Sequence, residues 1–224
     1  MKFDDPITQD FLSGKSFSNG HRFDLGNQGR ALRRFERLVE LCRGKSVLHV
    51  GCCDHLDLIR EKVAQGVYLH QNLDQVASRC VGVDISEPGI ALLHELGFED
   101  VYVPDDVPDI EFDICLLGDV IEHVGDVVSF LKSMRRYRFG QLVIVTPNLF
   151  RLRNFLSSGE VVNTDHRYWF SPYTLAKVMV DAGYTPQRIE LCHSDYVSAK
   201  GALFARLLDR LPKYRDTIVA FAAP

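Results

Sequence analysis

Apolar residues along this chain follow two different periods. Short unbroken runs, among them Val47-Leu48-His49-Val50, Cys80-Val81-Gly82-Val83, Ile114-Cys115-Leu116-Leu117 and Leu142-Val143-Ile144-Val145, alternate with segments whose apolar positions recur every three or four residues. The runs predict strands covered on both faces, and the spaced segments predict amphipathic helices. In chain order the pattern predicts a helix over 27–42, a strand over 46–50, a helix over 68–78, a strand over 80–84, a helix over 87–96 and a short strand over 101–103. It continues with a strand over 113–117, a helix over 126–137, a strand over 141–146 and a helix over 171–182. A strand over 187–193, a helix over 202–211 and a strand over 217–222 complete it. The boundaries have local causes. Gly44, Gly97 and Gly183 stop helices, Pro147 closes a strand, and Ser171-Pro172 offers an N-cap followed by proline at the first helical position. Residues 1–26 are polar, glycine-spotted and weakly periodic, and read as an irregular arm or lid.

Strands that alternate with helices imply a parallel sheet with helices on both sides, an α/β fold with a three-layer α/β/α sandwich. Ligands of such sheets bind outside the carboxyl ends of the strands. The last two strands follow after the alternation has weakened, which suits antiparallel pairing at one edge. With 224 residues and 46% hydrophobic content, one domain over 27–224 accounts for the core.

A net charge of −4 argues against a dedicated nucleic-acid binder. The first sixteen residues carry no apolar run, and no stretch approaches the roughly 18 apolar residues of a membrane span, so neither a leader nor a membrane anchor is expected. The six cysteines show no CxxC pairing and mostly sit in apolar runs, as buried thiols of a protein in a reducing cytoplasm would. The histidines and acids show no HExxH or similar spacing, so no metal is expected.

Candidate chemistry gathers at the ends of the predicted strands. Gly51 follows the first strand directly and permits a tight turn, with Cys52 and Cys53 after it. A lone glycine there is equally what a plain strand-to-loop turn would have. The second strand ends in Asp84-Ile85-Ser86, where a carboxylate can accept both hydroxyls of a ribose. Asp84 as a helix cap is the competing reading, although Ser86 already serves that cap. Asp105 and Asp106 form a turn after the third strand, suited either to an adenine amine or to solvent. Gly118 ends the fourth strand, with Asp119, Glu122 and His123 beside it. The segment Asp165-His166-Arg167-Tyr168-Trp169-Phe170 sets acid, base and aromatics just before a capped helix. Its aromatics suit a pocket wall facing a cation, or core packing for at least one of the three.

Taken together, VLHVGCCDH, VGVDIS, the PDD turn, FDICLLGDVIEHV and LVIVTPN followed by DHRYWFSPYTL resemble the class I S-adenosylmethionine-dependent methyltransferases over about residues 46–193. The fourth and last pieces look like members that modify sugars and other small hydroxylated acceptors. The resemblance implies a Rossmann-like sheet of seven strands whose final strand inserts antiparallel, with S-adenosylmethionine as cofactor. It implies that Gly51, Cys52 and Cys53 line the methionine end and that Asp84 holds the ribose. Asp105 and Asp106 would frame the adenine, Gly118 would meet the amino-acid moiety, and Ile85 counts among the cofactor-binding residues. The chain departs from the family where His49 stands for an acid, and where Cys53 and His55 stand for glycines. Either His49 meets the ligand amine in another way, or Asp54 replaces the missing acid. The spacing from Gly51 to Asp84 exceeds the usual roughly 20 residues, so 57–66 reads as an insertion.

A hydroxyl acceptor must lose a proton during transfer, and histidine suits that task near neutral pH. His123 and His166 are the candidate bases, with Asp165 beside them. The expected partner is a small-molecule or glycan-precursor acceptor, with oligomeric state left open. Two other readings stand beside this one. The first is a non-catalytic binding or scaffold module, suggested by the substituted glycine loop. The second is a nucleotide-sugar or dinucleotide oxidoreductase, which expects a fuller G-x-G-x-x-G run.

Overall fold

The apolar runs are strands of a single sheet. The computed structural model describes residues 3, 5–26, 28–156, 158–160, 162–195 and 208–224. Its strands are β1 Ser46–Val50, β2 Arg79–Val83, β3 Val101–Tyr102, β4 Glu111–Gly118, β5 Arg138–Pro147, β6 Thr185–Cys192 and β7 Thr217–Ala223. They lie in the order β3-β2-β1-β4-β5-β7-β6. β1 pairs parallel with β2 and β4, β2 with β3, and β4 with β5. The last strand, β7, inserts antiparallel between β5 and β6, as expected.

Side chains alternate across this sheet and so build two cores. Leu48, Cys115, Leu117, Leu142, Ile144, Ile218 and Ala220 face one side. Helices α1 Pro6–Leu12, α6 Val127–Ser133 and α7 Pro172–Asp181 cover that side through Leu12, Leu131 and Met179, among others. Val47, Ile114, Leu116, Val143, Val219 and Phe221 face the other, beneath α2 Arg34–Cys42 and α4 Leu69–Asp74. A third, smaller cluster joins α3 Leu56–Ala64 and α5 Glu87–Glu95 to the β3 edge through Ile59, Leu93 and Val101.

Several boundaries move relative to the sequence pattern. The helix expected over 27–42 begins only at Arg34, because the chain before it is fastened to the end of β6. His193 N donates to Leu32 O at 3.2 Å, and Arg34 N donates to His193 O at 2.9 Å. The helix expected over 68–78 ends at Asp74, since Gly44 N takes Val76 O at 2.8 Å and Ser78 N takes Lys45 O at 2.9 Å. The stretch read as an insertion, 57–66, lies largely in α3. Ile59 is its only fully buried residue, and Leu56 and Leu58 are exposed, so its helical period is faint. Residues 6–12 form a helix capped by Asp5, which accepts from Thr8 N at 2.9 Å, where an irregular arm was expected. The helix expected over 126–137 stops at Ser133 and passes into a 3-10 turn over Met134–Arg136. The helix expected over 202–211 falls mostly outside the described residues.

The start of α7 matches its sequence signature. Ser171 Oγ accepts from Thr174 N at 3.1 Å, and Thr174 Oγ1 accepts from Ser171 N at 2.9 Å. This reciprocal cap fixes where the loop carrying His166 and Trp169 ends. Replacing Ser171 by Ala is expected to lower the unfolding free energy by about 1 kcal/mol. Urea denaturation followed by circular dichroism measures it, and an unchanged midpoint would remove the cap from the account.

Candidate active site

Strand order diverges at β1, with β2 and β3 on one side of it and β4 and β5 on the other. The connections leave in opposite directions there and open a crevice at the carboxyl ends of β1 and β4. Gly51 ends β1 at a φ of 73°, in the left-handed region that favours glycine. A Cβ at Gly51 would stand 2.2 Å from Val120 Cγ2, so no other residue lets the two loops meet this closely.

At the tip of β2, Asp84 Oδ2 accepts from Cys53 N at 3.0 Å and Oδ1 accepts from Ser86 N at 3.0 Å. One carboxylate thereby holds the loop after β1 against its own strand end. Each oxygen retains a further lone pair. Ser86 Oγ takes the cap of α5 by accepting from Gly89 N at 3.1 Å, so Asp84 is not spent on that helix. Ile85 beside it is 87% exposed, an apolar face standing free next to the carboxylate.

His49 lies one residue before the end of β1 and is buried. Its Nδ1 sits 3.2 Å from Nδ1 of the buried His70 on α4, with the rings stacked at 5.3 Å. Burial lowers both pKa values, that of His70 to about 4, so both rings are neutral at pH 7 and one Nδ1 donates to the other. His49 Nε2 has no partner. A Cβ on Gly118 would come within 3.3 Å of that nitrogen, which places an unpaired polar atom against the glycine that ends β4.

The loop after β4 forms the other wall. Asp119 takes a left-handed φ of 55° and contacts Arg34 Nη1, while Arg34 Nε donates to Asp195 at 2.9 Å. Glu122 is completely buried. Its Oε2 accepts from Thr146 Oγ1 at 3.0 Å, its Oε1 has no partner, and burial raises its pKa to about 7. His123 Nδ1 donates to the backbone carbonyl of Asp165 at 3.2 Å. The rings of His123 and His166 meet edge to face at 4.7 Å, and His166 Nδ1 has no partner. Burial, and then the neighbouring His123, lower the pKa of His166. Arg167 N donates to Glu122 O at 2.8 Å and Tyr168 Oη to Gly125 O at 2.6 Å, which ties the two loops together. Trp169 stands 5.7 Å from His166, with the Arg151 guanidinium 4.3 Å over its ring. Phe170 is buried in the core, the packing role expected for at least one of these aromatics.

The fold therefore gathers His49, Gly51, Asp84, Ile85 and Gly118 around the strand tips, and His123 and His166 in the adjacent loops. Cys52 and Cys53 follow Gly51, Cys52 buried and Cys53 half-buried with its amide on Asp84. Asp165 contributes a carbonyl rather than its carboxylate. Asp54 is paired with Lys62, so its charge is already met. Asp105 is exposed and pairs with Arg136 at 2.8 Å, and Asp106 faces a hollow of about 260 Å³ between α5 and β3. Glu122, His123 and His166 place ligand-type atoms within 4.8 Å of one another, a grouping that spacing did not reveal. Arg34, His70, Thr146 and Arg151 also border these groups and were not anticipated. They lie on distant segments with no local motif.

A family profile described as a methyltransferase domain matches residues 23–189. Among curated protein sequences none matches the chain. Solved structures share the fold at low identity. The magnesium protoporphyrin IX methyltransferase of Synechocystis, solved with bound S-adenosylhomocysteine, is similar at a TM-score of 0.54 and 14% identity, covering 96% of this chain and 94% of that one. A chain from the complex of a methyltransferase activator and a methyltransferase of Haloferax volcanii is similar at a TM-score of 0.56 and 14% identity, covering 87% and 89%. An S-adenosylmethionine-dependent methyltransferase of Archaeoglobus fulgidus is similar at 0.51 and 20% identity, covering 85% and 91%.

The His49–His70 pair makes stability depend on pH. The folded pKa of His70, about 4, lies below its ordinary 6.5, so the unfolded chain binds the extra proton first and stability falls with pH below 6.5. Between pH 7 and pH 5 this one group is expected to remove about 2 kcal/mol. Thermal unfolding of the wild type and of His70→Asn across that range measures it, and equal slopes for the two would contradict it.

Proposed function

The chain belongs to the methyltransferase-domain family, and from that premise we propose that it takes the methyl group of S-adenosylmethionine and transfers it to a hydroxyl of a sugar or comparable small polar metabolite. The cofactor supplies a methyl group on a positively charged sulfur that leaves as a neutral thioether. The protein's own contribution is then alignment, worth several kcal/mol, and handling of the acceptor's proton.

The crevice suits the cofactor in four respects. Asp84 is anchored at the tip of β2 with lone pairs to spare for ribose hydroxyls. Gly51 and Gly118 keep side chains out of the space between β1 and β4, with Cys52 and Cys53 continuing the same wall. His49 Nε2 is a buried polar atom in want of a partner, and the ammonium or carboxylate of an amino-acid moiety can provide one. Being neutral, His49 replaces the family's acid by a hydrogen bond rather than by a charge. Ile85 offers an apolar face to the base, while Asp105 is paired with Arg136 and Asp106 lines the hollow between α5 and β3.

The observation that carries the acceptor reading is the convergence of Glu122, His123 and His166 in the loops next to β4, with Trp169 against His166. Two imidazoles and a buried carboxyl are polar, titratable and close together, which is what a hydroxyl needs in order to be bound and to part with its proton. The trio is proposed to face the acceptor, with the histidine pair drawing the proton away.

Asp84→Ala is expected to weaken S-adenosylhomocysteine binding at least tenfold in calorimetry, since it removes both the ribose acceptor and the anchor of the 51–53 loop. Wild-type affinity in that variant would refute the placement of the ribose. With labelled methyl donor and a panel of glycan precursors and small phenols, His123→Ala and His166→Ala are each expected to lower transfer by about a hundredfold or more. Binding of S-adenosylhomocysteine should stay within about threefold of wild type. Transfer undiminished in both variants would remove the trio from the reaction.

A further inference from the structure

We propose that Glu122, His123 and His166 hold a divalent first-row transition cation, and that this cation binds the acceptor hydroxyl. The inference deepens the acceptor reading above and rests on it. The histidine pair then draws the proton away by lending lone pairs to a metal instead of taking the proton itself.

The geometry points to a cage because each of the three side chains is held in place, two by a hydrogen bond and one by its neighbouring rings, and each keeps an atom free. Glu122 is oriented by Thr146 through Oε2, which leaves Oε1 buried and without a partner. His123 donates from Nδ1 to the Asp165 carbonyl, which fixes its tautomer and leaves the Nε2 lone pair open. A carbonyl behind the remote nitrogen is the usual way in which a ligating histidine is aimed. His166 is held between the rings of His123 and Trp169 and has an unpartnered Nδ1. One ligand-type atom from each of the three residues lies within 4.8 Å of the other two. Bonds of about 2.0–2.2 Å to one ion bring such atoms to about 3.3 Å apart, a closure of the order that a small side-chain rotation supplies. Two imidazoles and one carboxylate suit a zinc or manganese ion better than calcium or magnesium, which prefer all-oxygen sets.

Neighbouring cations are already engaged. Arg34 is paired with both Asp119 and Asp195, and Arg151 lies over Trp169 with its Nε donating to Asn154 at 2.8 Å. Among the described residues the other group of potential ligands, Cys52, Cys53 and Asp84, differs in kind. Both Asp84 oxygens hold backbone amides, and the Cys53 contact together with burial keeps the Cys52 thiol protonated.

With the cation in place the transfer balances. The acceptor O–H bond breaks and its proton passes to solvent water. The electron pair left on oxygen forms the new C–O bond, and the C–S bond breaks with its pair retained on sulfur. A three-ligand site keeps coordination positions open for that oxygen.

The test uses the whole chain, stripped with chelator and desalted, titrated with manganese chloride while the free-ion signal is followed by electron paramagnetic resonance, then challenged with zinc chloride. One manganese per chain is expected, displaced by zinc. His123→Asn and Glu122→Gln should each weaken it at least tenfold, with S-adenosylhomocysteine binding on the same samples within about threefold of wild type. No saturable manganese uptake by the wild type, or uptake unchanged in the variants, would overturn the proposal. His123 is only half-buried, so its variant still decides the matter if Glu122→Gln does not fold. A wild type that takes up manganese but not S-adenosylhomocysteine would leave the cage standing and remove the methyl-transfer reading.

Discussion

Two backbone amides converge on one carboxylate at the tip of β2, and the shape of the crevice follows from that convergence. Asp84 joins the loop after β1 to the turn before α5, so the ends of β1 and β2 move as one piece. Charge-assisted bonds of this kind are about twice as strong as neutral ones. On the other wall, Gly51 and Val120 meet too closely for any side chain at position 51. The crevice is thus fixed in part by main chain, at Gly51, Cys53 and Ser86, and main chain is the part of a protein least able to shift when a ligand arrives.

Unpaired polar atoms show where this construction has a use beyond stability. A buried donor or acceptor without a partner costs about 1–3 kcal/mol. Among the described residues five buried side-chain atoms are of this kind, and three of them, His49 Nε2, Glu122 Oε1 and His166 Nδ1, border Gly118 or the loops next to it. Their packing holds them in place without satisfying them. The same region carries the left-handed Asp119, the one described non-glycine residue with a positive φ. Local strain and unmet hydrogen bonds gathered at strand tips are the mark of a site shaped for a ligand.

Much of this was legible in the sequence, and the parts that were not have physical reasons. The central strands announce themselves because a doubly buried strand must be continuously apolar, as 47–50 and 142–145 are. Asp84 and Gly51 were legible because strand ends are fixed by those runs. Ser171-Pro172 located α7 to the residue. Helix α3 was hidden because one buried residue, Ile59, is too little to set a period. The late start of α2 was hidden because it depends on His193, a residue about 160 positions away. The pairing of His49 with His70 and the grouping of Glu122 with His166 depend in the same way on long-range closure, and no spacing rule applies to them. Asp54 seemed free to replace the family's acid until Lys62, two turns of helix along, was seen to hold it.

The central claim is that a nucleoside joined to an amino acid lies across the tips of β1, β2 and β4. A crystal structure of the chain with S-adenosylhomocysteine tests this most directly. The account predicts ribose oxygens within hydrogen-bond distance of Asp84, the base against Ile85, and the amino-acid end between Gly51 and Gly118 within reach of His49 Nε2. Density for the ligand elsewhere, or a crevice closed by the protein's own side chains with Asp84 facing away, would contradict it.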